Sequence, residues 1–141
     1  MYSILPDIYS RSMLDPAVGN EMSMTLEPHF YYELISLRFD FTTAAPGVSR
    51  VCLLNVTNGT DTLFQLQPLT THAVSTTASY QALPIGFTRT LIMSLDKTYI
   101  FPIGIMLEGG MVIETSTGNL NAGDQYSGII SRWKRWAVRQ S

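Results

Sequence analysis

FYYELISLRFDF, residues 30–41, is the stretch that decides the fold class. From Ile35 onward, apolar and polar side chains alternate residue by residue. The apolar positions of this alternation are Ile35, Leu37, Phe39 and Phe41. A period of two places successive side chains on opposite faces of an extended strand, so that one face is buried and the other meets solvent. Residues 30–41 therefore predict a half-buried β-strand.

The same period continues along the chain from Met22, and turn residues separate the segments that show it. Asn58-Gly59 lies between two of these segments, 50–57 and 62–67, and predicts a hairpin with a type I′ turn. Further strands are expected over 87–95, 99–107, 111–117 and 125–138. No segment has apolar residues at helical spacing. We expect one all-β domain over residues 21–141, an antiparallel β-sandwich with jelly-roll or Greek-key connections.

Residues 1–20 differ from the rest of the chain because they are rich in apolar side chains but show no lasting period. Pro6, Pro16 and Gly19 interrupt them. An irregular segment with apolar side chains must lie on its own domain or on a neighbour. We therefore expect an extended N-terminal arm. The arm residues expected to contact a partner are Tyr2, Ile4, Leu5, Ile8 and Tyr9.

The C-terminal segment, residues 132–141, has a net charge opposite in sign to that of the preceding residues. It contains four cations and no acid, whereas residues 1–131 contain five cations and eleven acids. Two tryptophans, Trp133 and Trp136, lie among these cations. Four interpretations fit this pattern: a nucleic-acid patch, an amphipathic membrane contact, a contact with a partner protein, and an edge strand whose charges prevent aggregation.

A partner contact is the interpretation that the residue types favour. The net charge of −2 disfavours nucleic acid, and the segment is too short and too strand-like for a membrane contact. Tryptophan and arginine commonly carry the binding energy of protein interfaces. We expect Trp133, Arg135 and Trp136 to meet the acidic surface of a neighbouring molecule, with an ordinary edge strand as the alternative.

The composition also indicates a protein that is covered by other chains. Only 14% of the residues are charged, whereas an average domain has roughly 25%. Hydrophobic residues make up 45% of the chain, which also contains 15 Thr and 13 Ser. The first residues lack a basic region followed by a long apolar run, and the apolar runs elsewhere are short and broken. We therefore expect neither export nor a membrane span.

The sequence predicts no catalytic chemistry. His29 and His72 lack the spacing of metal ligands and are expected to be surface or loop residues. The acidic residues are scattered singly, without a pattern that predicts an acid–base pair. Cys52, the one cysteine, lies in the apolar run 51–54 and is expected to be a buried, inert thiol. We expect no enzymatic activity, no catalytic residues, no metal and no cofactor.

The ending GNLNAGD, residues 118–124, is followed by a strand with terminal tryptophans. Together with the size, the lack of helices and the arm-like start, it resembles the small β-sandwich proteins that decorate or cement the capsids of tailed bacteriophages. The resemblance implies a homo-oligomer, with a trimer favoured, that binds the major capsid protein and stabilises the shell. It also implies synthesis in the host cytoplasm, a place on the capsid surface of the virion, and no enzymatic activity.

Two other roles stay open from the sequence. One is a carbohydrate- or receptor-binding sandwich of a phage fibre, which needs an exposed aromatic platform. The aromatic candidates for it are Tyr31, Tyr32, Tyr80 and Tyr126. The other is a different virion component, at the tail or at the head–tail connection.

Overall fold

The computed structural model describes residues 5–84, 97–102 and 104–138. Within these residues the chain forms ten strands and no α-helix. The strands are β1 (Asp7–Ser12), β2 (Ser23–Thr25), β3 (Phe30–Thr42), β4 (Val51–Thr57), β5 (Thr62–Leu66), β6 (Thr77–Pro84), β7 (Thr98–Phe101), β8 (Leu107–Glu108), β9 (Val112–Gly118) and β10 (Gln125–Ala137). The strand expected over 87–95 lies outside the described residues. In the same three ranges, no helical segment has the length and hydropathy needed to span a bilayer.

The strands form two sheets. The larger sheet has the order β1-β10-β3-β6-β7, and β8 pairs with the start of β3. The smaller sheet has the order β2-β9-β4-β5. The pairs are antiparallel except for β6 and β7, which run parallel. The prediction of an all-β sandwich is therefore confirmed.

Alternating apolar side chains of both sheets meet between them and form the core. Its centre is aromatic: Phe39 stacks on Tyr80 at 5.3 Å, and Phe41 stacks on Tyr126 at 4.2 Å between ring centroids. Buried tyrosines need partners for their hydroxyl groups. The hydroxyl of Tyr99, for example, donates to the carbonyl oxygen of Cys52 at 2.6 Å. The core therefore contains hydrogen bonds as well as apolar packing.

Strand β3 contains an irregularity that the sequence pattern did not predict. Leu34 lies opposite Trp133 and Ser36 lies opposite Arg132, so Ile35 has no partner on β10. This extra residue forms a bulge and switches the face to which the following side chains point. Leu37, Phe39 and Phe41 are buried as predicted, but Ile35 is only half-buried and does not share their face. The assignment of Ile35 to the core side of the strand was wrong for this reason.

A second bulge lies in β10. Ser127 pairs with Asp40 and Ile130 pairs with Arg38, so that Gly128 and Ile129 together face one residue of β3. Gly128 has a φ of +60°, which glycine adopts without strain. As a consequence Ile129 points into the core, whereas Ile130 points away from it and is 49% exposed.

The hairpin between β4 and β5 forms where it was predicted, but its turn is of another kind. Gly59 has a φ of +96°, whereas Asn58 does not have the positive φ that a type I′ turn requires. Instead, the side-chain oxygen of Asn58 accepts hydrogen bonds from the amides of Thr60 and Asp61, at 2.9 and 2.7 Å. A four-residue loop, 58–61, therefore joins the strands.

The N-terminal segment is extended, and its residues Asp7–Ser12 belong to the larger sheet. They form the edge strand β1, which pairs antiparallel with β10. Tyr9 points toward the core and is half-buried, while Ile8 points outward and is 55% exposed. The arm was expected to lie either on its own domain or on a neighbour. Residues 7–12 lie on their own domain.

Candidate partner-binding surface

Pairing of β1 with β10 brings together the two chain segments that the sequence singled out. Asp7 lies opposite Arg135, Ile8 opposite Lys134, and Tyr9 opposite Trp133. Their pairing could not be predicted from the sequence, because more than a hundred residues separate the two segments along the chain. The predicted arm and the predicted tail therefore bind each other over six residues of strand.

Arg135 is held on the inner side of this strand pair. Its guanidinium carbon lies 4.2 Å from the ring centroids of both Tyr9 and Phe30. One of its nitrogens donates to Asp7 at 2.8 Å, and another lies 3.8 Å from Glu27. The hydrogen bond from Arg135 lowers the pKa of Asp7, and the same bond raises the pKa of Arg135. The charge of Arg135 is thus used within the chain to hold β1.

Trp133 lies in the core and has no exposed surface. Its ring meets that of Tyr32 edge-on, with centroids 5.8 Å apart and planes at 78°. The expectation that Trp133 contacts a partner is corrected by this placement: as a single chain, the protein buries the ring between its own sheets. The indole nitrogen has no hydrogen-bond partner among the described residues, and the ring packs against Tyr32 as an apolar group.

The other predicted contact residues have different environments. Trp136 is half-buried and lies opposite Tyr31 on the side of β10 that faces away from the core. Leu5 is 79% exposed. Tyr2 and Ile4 lie outside the described residues. Ile8, Leu5 and Trp136 are therefore the predicted residues that the structure leaves at the surface.

The outward side of β1, β10 and β3 forms a continuous surface, which we call the outer face. Its most exposed side chains are Ile8, Arg38, Ile130, Arg132 and Lys134. Ser10, Arg132 and Ser36 form one row across the three strands, and Ser12, Ile130 and Arg38 form another. Adjacent rows on one face are about 7 Å apart because alternate residues of a strand are that far apart. The cations and isoleucines therefore lie close together.

The charges of the outer face are only partly balanced. None of its three cations, Arg38, Arg132 and Lys134, forms an ion pair with a described residue. Two acids lie on the same side of the sheet. Glu33 is opposite Lys134, and Asp40 accepts a hydrogen bond from the hydroxyl of Ser79 at 2.6 Å. Arg132, between two serines, is the cation with the least local compensation.

Sequence analysis missed Arg38 and Ile130 as members of this surface. One signal in the sequence pointed to Ile130. Alternate residues of a strand point to the same face, and Ile130 has an even number, as Arg132 and Lys134 do. The odd-numbered residues Ser131, Trp133 and Arg135 point to the other face. Arg38 lies nearly a hundred residues away, and only the register of β3 against β10 places it there.

Two shallow grooves border the larger sheet. One of about 180 Å³ is lined by Glu33, Leu34, Ile35, Pro84 and Lys134. The other, of about 230 Å³, is lined by His29, Phe30, Tyr31, Glu108, Gly109 and Val138. Both are smaller than the roughly 300–1,000 Å³ of typical small-molecule sites. These grooves are more suitable for a single side chain of a partner than for a metabolite or cofactor.

The buried polar groups serve the fold. His72 is 1% exposed, and its ring nitrogens contact the hydroxyl of Tyr80 at 2.9 Å and the carbonyl oxygen of Thr76 at 3.1 Å. Burial lowers the pKa of His72, which favours the neutral form of the ring. His72 lies in the connection between β5 and β6, so the expected loop position is right, but its side chain is buried because its partners come from the tertiary structure. The expectation is also right for His29, which is exposed in the 26–29 connection.

Cys52 is the buried thiol that the sequence predicted. It is 1% exposed, and its sulfur lies 2.9 Å from the hydroxyl of Tyr126. Burial raises the pKa of Cys52 to about 11, so the reactive thiolate is scarce at neutral pH. Among the described residues, no group of His, Cys, Asp and Glu side chains is arranged to hold a metal ion.

Comparison with protein-family models, curated proteins and solved structures found no match to the chain.

Proposed function

We propose that the protein is a non-catalytic structural component of a virus particle, a decoration protein that binds the capsid shell through its outer face. The observation that carries this proposal is the outer face itself. It combines two exposed isoleucines, Ile8 and Ile130, with three cations that have no ion-pair partner among the described residues. Apolar side chains beside arginine are the usual composition of a protein contact.

The charge of the outer face favours a partner with an acidic surface. Arg132 and Lys134 project from the same side of one strand, so both cations can meet the same partner surface. In this proposal the partner is the major capsid protein. We also propose that the protein forms a homo-oligomer, with a trimer favoured, as the resemblance to decoration proteins implies. Many copies on one shell would add their separate contacts through avidity.

The positions of the four candidate tyrosines argue against the carbohydrate-binding alternative. Tyr32, Tyr80 and Tyr126 have no exposed surface, so they offer no platform on which a sugar can stack. Tyr31 is half-buried and is the remaining candidate of the four. A protein surface is therefore the partner that the exposed side chains favour.

Co-sedimentation tests the proposal directly. The purified protein would be mixed with capsid shells of the virus that encodes it, prepared without this protein, and separated on a density gradient. We expect the protein to migrate with the shells and to saturate at a fixed number of copies per shell. Protein that stays at the top of the gradient at every concentration would contradict the proposed function.

A further inference from the structure

The loop that joins β4 to β5, residues 58–61, contains an asparagine followed by a glycine. Asn58 and Gly59 are both exposed, and Gly59 has a φ of +96°. Among the described residues other than its chain neighbours, no heavy atom lies within 4 Å of the position that a Cβ atom of Gly59 would take. The peptide group between these two residues is therefore open to water and is not crowded by side chains.

An asparagine side chain can react with the peptide group that follows it. The nitrogen of the next residue attacks Cγ of the asparagine, gives up its proton to solvent, and forms a cyclic imide as ammonia leaves. Water then opens the imide to aspartate or to isoaspartate, so that in sum a carboxamide and water become a carboxylate and ammonium. A Cβ atom on the next residue obstructs the attack, so glycine is the residue that permits it most readily.

The folded loop holds the carboxamide of Asn58 in contacts that suit this reaction. Its oxygen, Oδ1, accepts hydrogen bonds from the amides of Thr60 and Asp61, at 2.9 and 2.7 Å. Negative charge develops on Oδ1 when the nitrogen attacks Cγ, and backbone N–H groups directed at such an oxygen stabilise that charge. The loop therefore provides an oxyanion hole that is formed before the reaction starts.

The attacking nitrogen, that of Gly59, is held by a contact with the end of β4. Its N–H group donates to Oγ1 of Thr57 at 3.1 Å. The N–H bond lies in the plane of the peptide group, whereas the nitrogen attacks a carbonyl carbon from above or below that plane. The contact with Thr57 therefore fixes the direction of the peptide plane and leaves the attacking face of the nitrogen open.

The four other asparagines of the chain are each followed by a residue with a side chain. They are Asn20, Asn55, Asn119 and Asn121. Asn121 is the useful comparison, because its side-chain oxygen also accepts a backbone amide, that of Gly123, at 3.0 Å. The residue after it is Ala122, whose methyl group obstructs the attack. Asn121 is therefore an internal control for Asn58.

We propose that Asn58 is a modification site, at which the folded β4–β5 loop promotes deamidation by the neighbouring peptide nitrogen without an enzyme. The reaction adds one negative charge to this loop. In the aspartate product, a carboxylate oxygen can accept the same two amides, those of Thr60 and Asp61, so the modified protein keeps its fold. This inference does not depend on the proposed function.

Peptide mapping by mass spectrometry tests the proposal on the purified full-length protein, sampled over several days at pH 8 and 37 °C. We expect the carboxamide of Asn58 to become a carboxylate about tenfold or more faster than that of Asn121. Gly59→Ala should slow the reaction at Asn58 by about tenfold or more. The matched control is Thr60→Ala, which changes an exposed side chain of the same loop but keeps the backbone N–H, and it should react like the wild type.

The contribution of the folded loop is measured by repeating the wild-type experiment in concentrated urea, where the hydrogen bonds to Oδ1 are lost. We expect Asn58 to react at least as fast in the folded protein as in the unfolded chain. A slower reaction in the folded protein would overturn the inference, as would equal rates at Asn58 and Asn121. Circular dichroism would show whether Gly59→Ala is folded, and if it is not, the wild-type comparison of Asn58 with Asn121 decides.

Discussion

The ring of Tyr9 lies against the guanidinium of Arg135, 4.2 Å from centroid to carbon, and links the first strand of the sandwich to the last. The ion pair between Asp7 and Arg135 adds little on its own, because Asp7 is 58% exposed and solvent screens it. The rings of Tyr9 and Phe30, each 4.2 Å from the guanidinium carbon, exclude water from part of the guanidinium, so Arg135 should contribute mainly through packing and the cation–π contact.

Arg135→Ala is therefore expected to loosen β1 without unfolding the sandwich. We expect a loss of about 1–2 kcal/mol in the free energy of unfolding. Hydrogen exchange should become faster over residues 7–12. The matched control is Arg132→Ala on the same strand, because Arg132 points outward and should leave β1 protected. Equal exchange rates in both variants would mean that Arg135 does not hold β1.

Loss of the Asp124 carboxylate should destabilise the protein in a pH-dependent way. Burial alone raises the pKa of Asp124, but hydrogen bonds from Arg50 and from the amides of Asn121 and Ala44 lower it below its ordinary value. A lowered pKa contributes stability that is present above pH ~4 and is lost as the pH falls through the folded-state pKa. We expect Asp124→Asn to lower the thermal midpoint on the order of 10 °C at pH 7.

The pH series provides the control for this prediction. Thermal midpoints of the wild type and Asp124→Asn should approach each other as the pH falls from ~4 through the folded-state pKa of Asp124, because the unfolded wild-type chain binds the proton first and the native carboxylate binds it last. A difference that stays constant from neutral to acidic pH would show that Asp124 acts through its shape and not through its charge.

The fold class was predictable because a period of two and the turn residues are local features of the sequence. The strand order was not, because β1 and β10 pair across nearly the whole chain. At the bulge the buried positions switch from even to odd numbers, but polar and apolar residues alternate without a break over 35–41, so the sequence placed Ile35 on the wrong face. The burial of His72 depends on Tyr80 and Thr76, whose positions follow only from the folded sheets.

The candidate surface was predictable in part. The sequence identified the arm and the tail as distinctive segments, but it did not show that they pair with each other as β1 and β10. Trp133 and Trp136 are three residues apart, and in a strand an odd spacing places two side chains on opposite faces. This parity could have indicated that one of the tryptophans is buried. Which of them faces the core depends on the bulge at Gly128, where the register of β10 changes.

The two tryptophans should therefore respond differently to substitution. Trp133→Ala leaves a cavity beside Tyr32 and should cost about 3–5 kcal/mol in the free energy of unfolding. Trp136→Ala should cost about 1 kcal/mol because its ring is half-buried at the surface. Denaturant unfolding measures both values. A larger loss for Trp136→Ala than for Trp133→Ala would contradict the placement of the two rings.

Cys52 should be inert in the folded protein. Its burial and its raised pKa, about 11, predict that iodoacetamide does not modify it at pH 8 unless the protein is unfolded. The matched control is Ser116→Cys, which places a second thiol at an exposed position of β9. Mass spectrometry should find one modification on that variant and none on the wild type. Rapid modification of the folded wild type would show that the sheets open at Cys52.

Charge reversal on the outer face tests the central claim most directly. The double variant Arg132→Glu with Lys134→Glu would be compared with Ser116→Glu, which adds negative charge on the opposite sheet, in co-sedimentation with capsid shells. We predict that the double variant remains folded and no longer binds, while Ser116→Glu binds like the wild type. Binding of the double variant with unchanged affinity would show that the outer face is not the surface that contacts the shell.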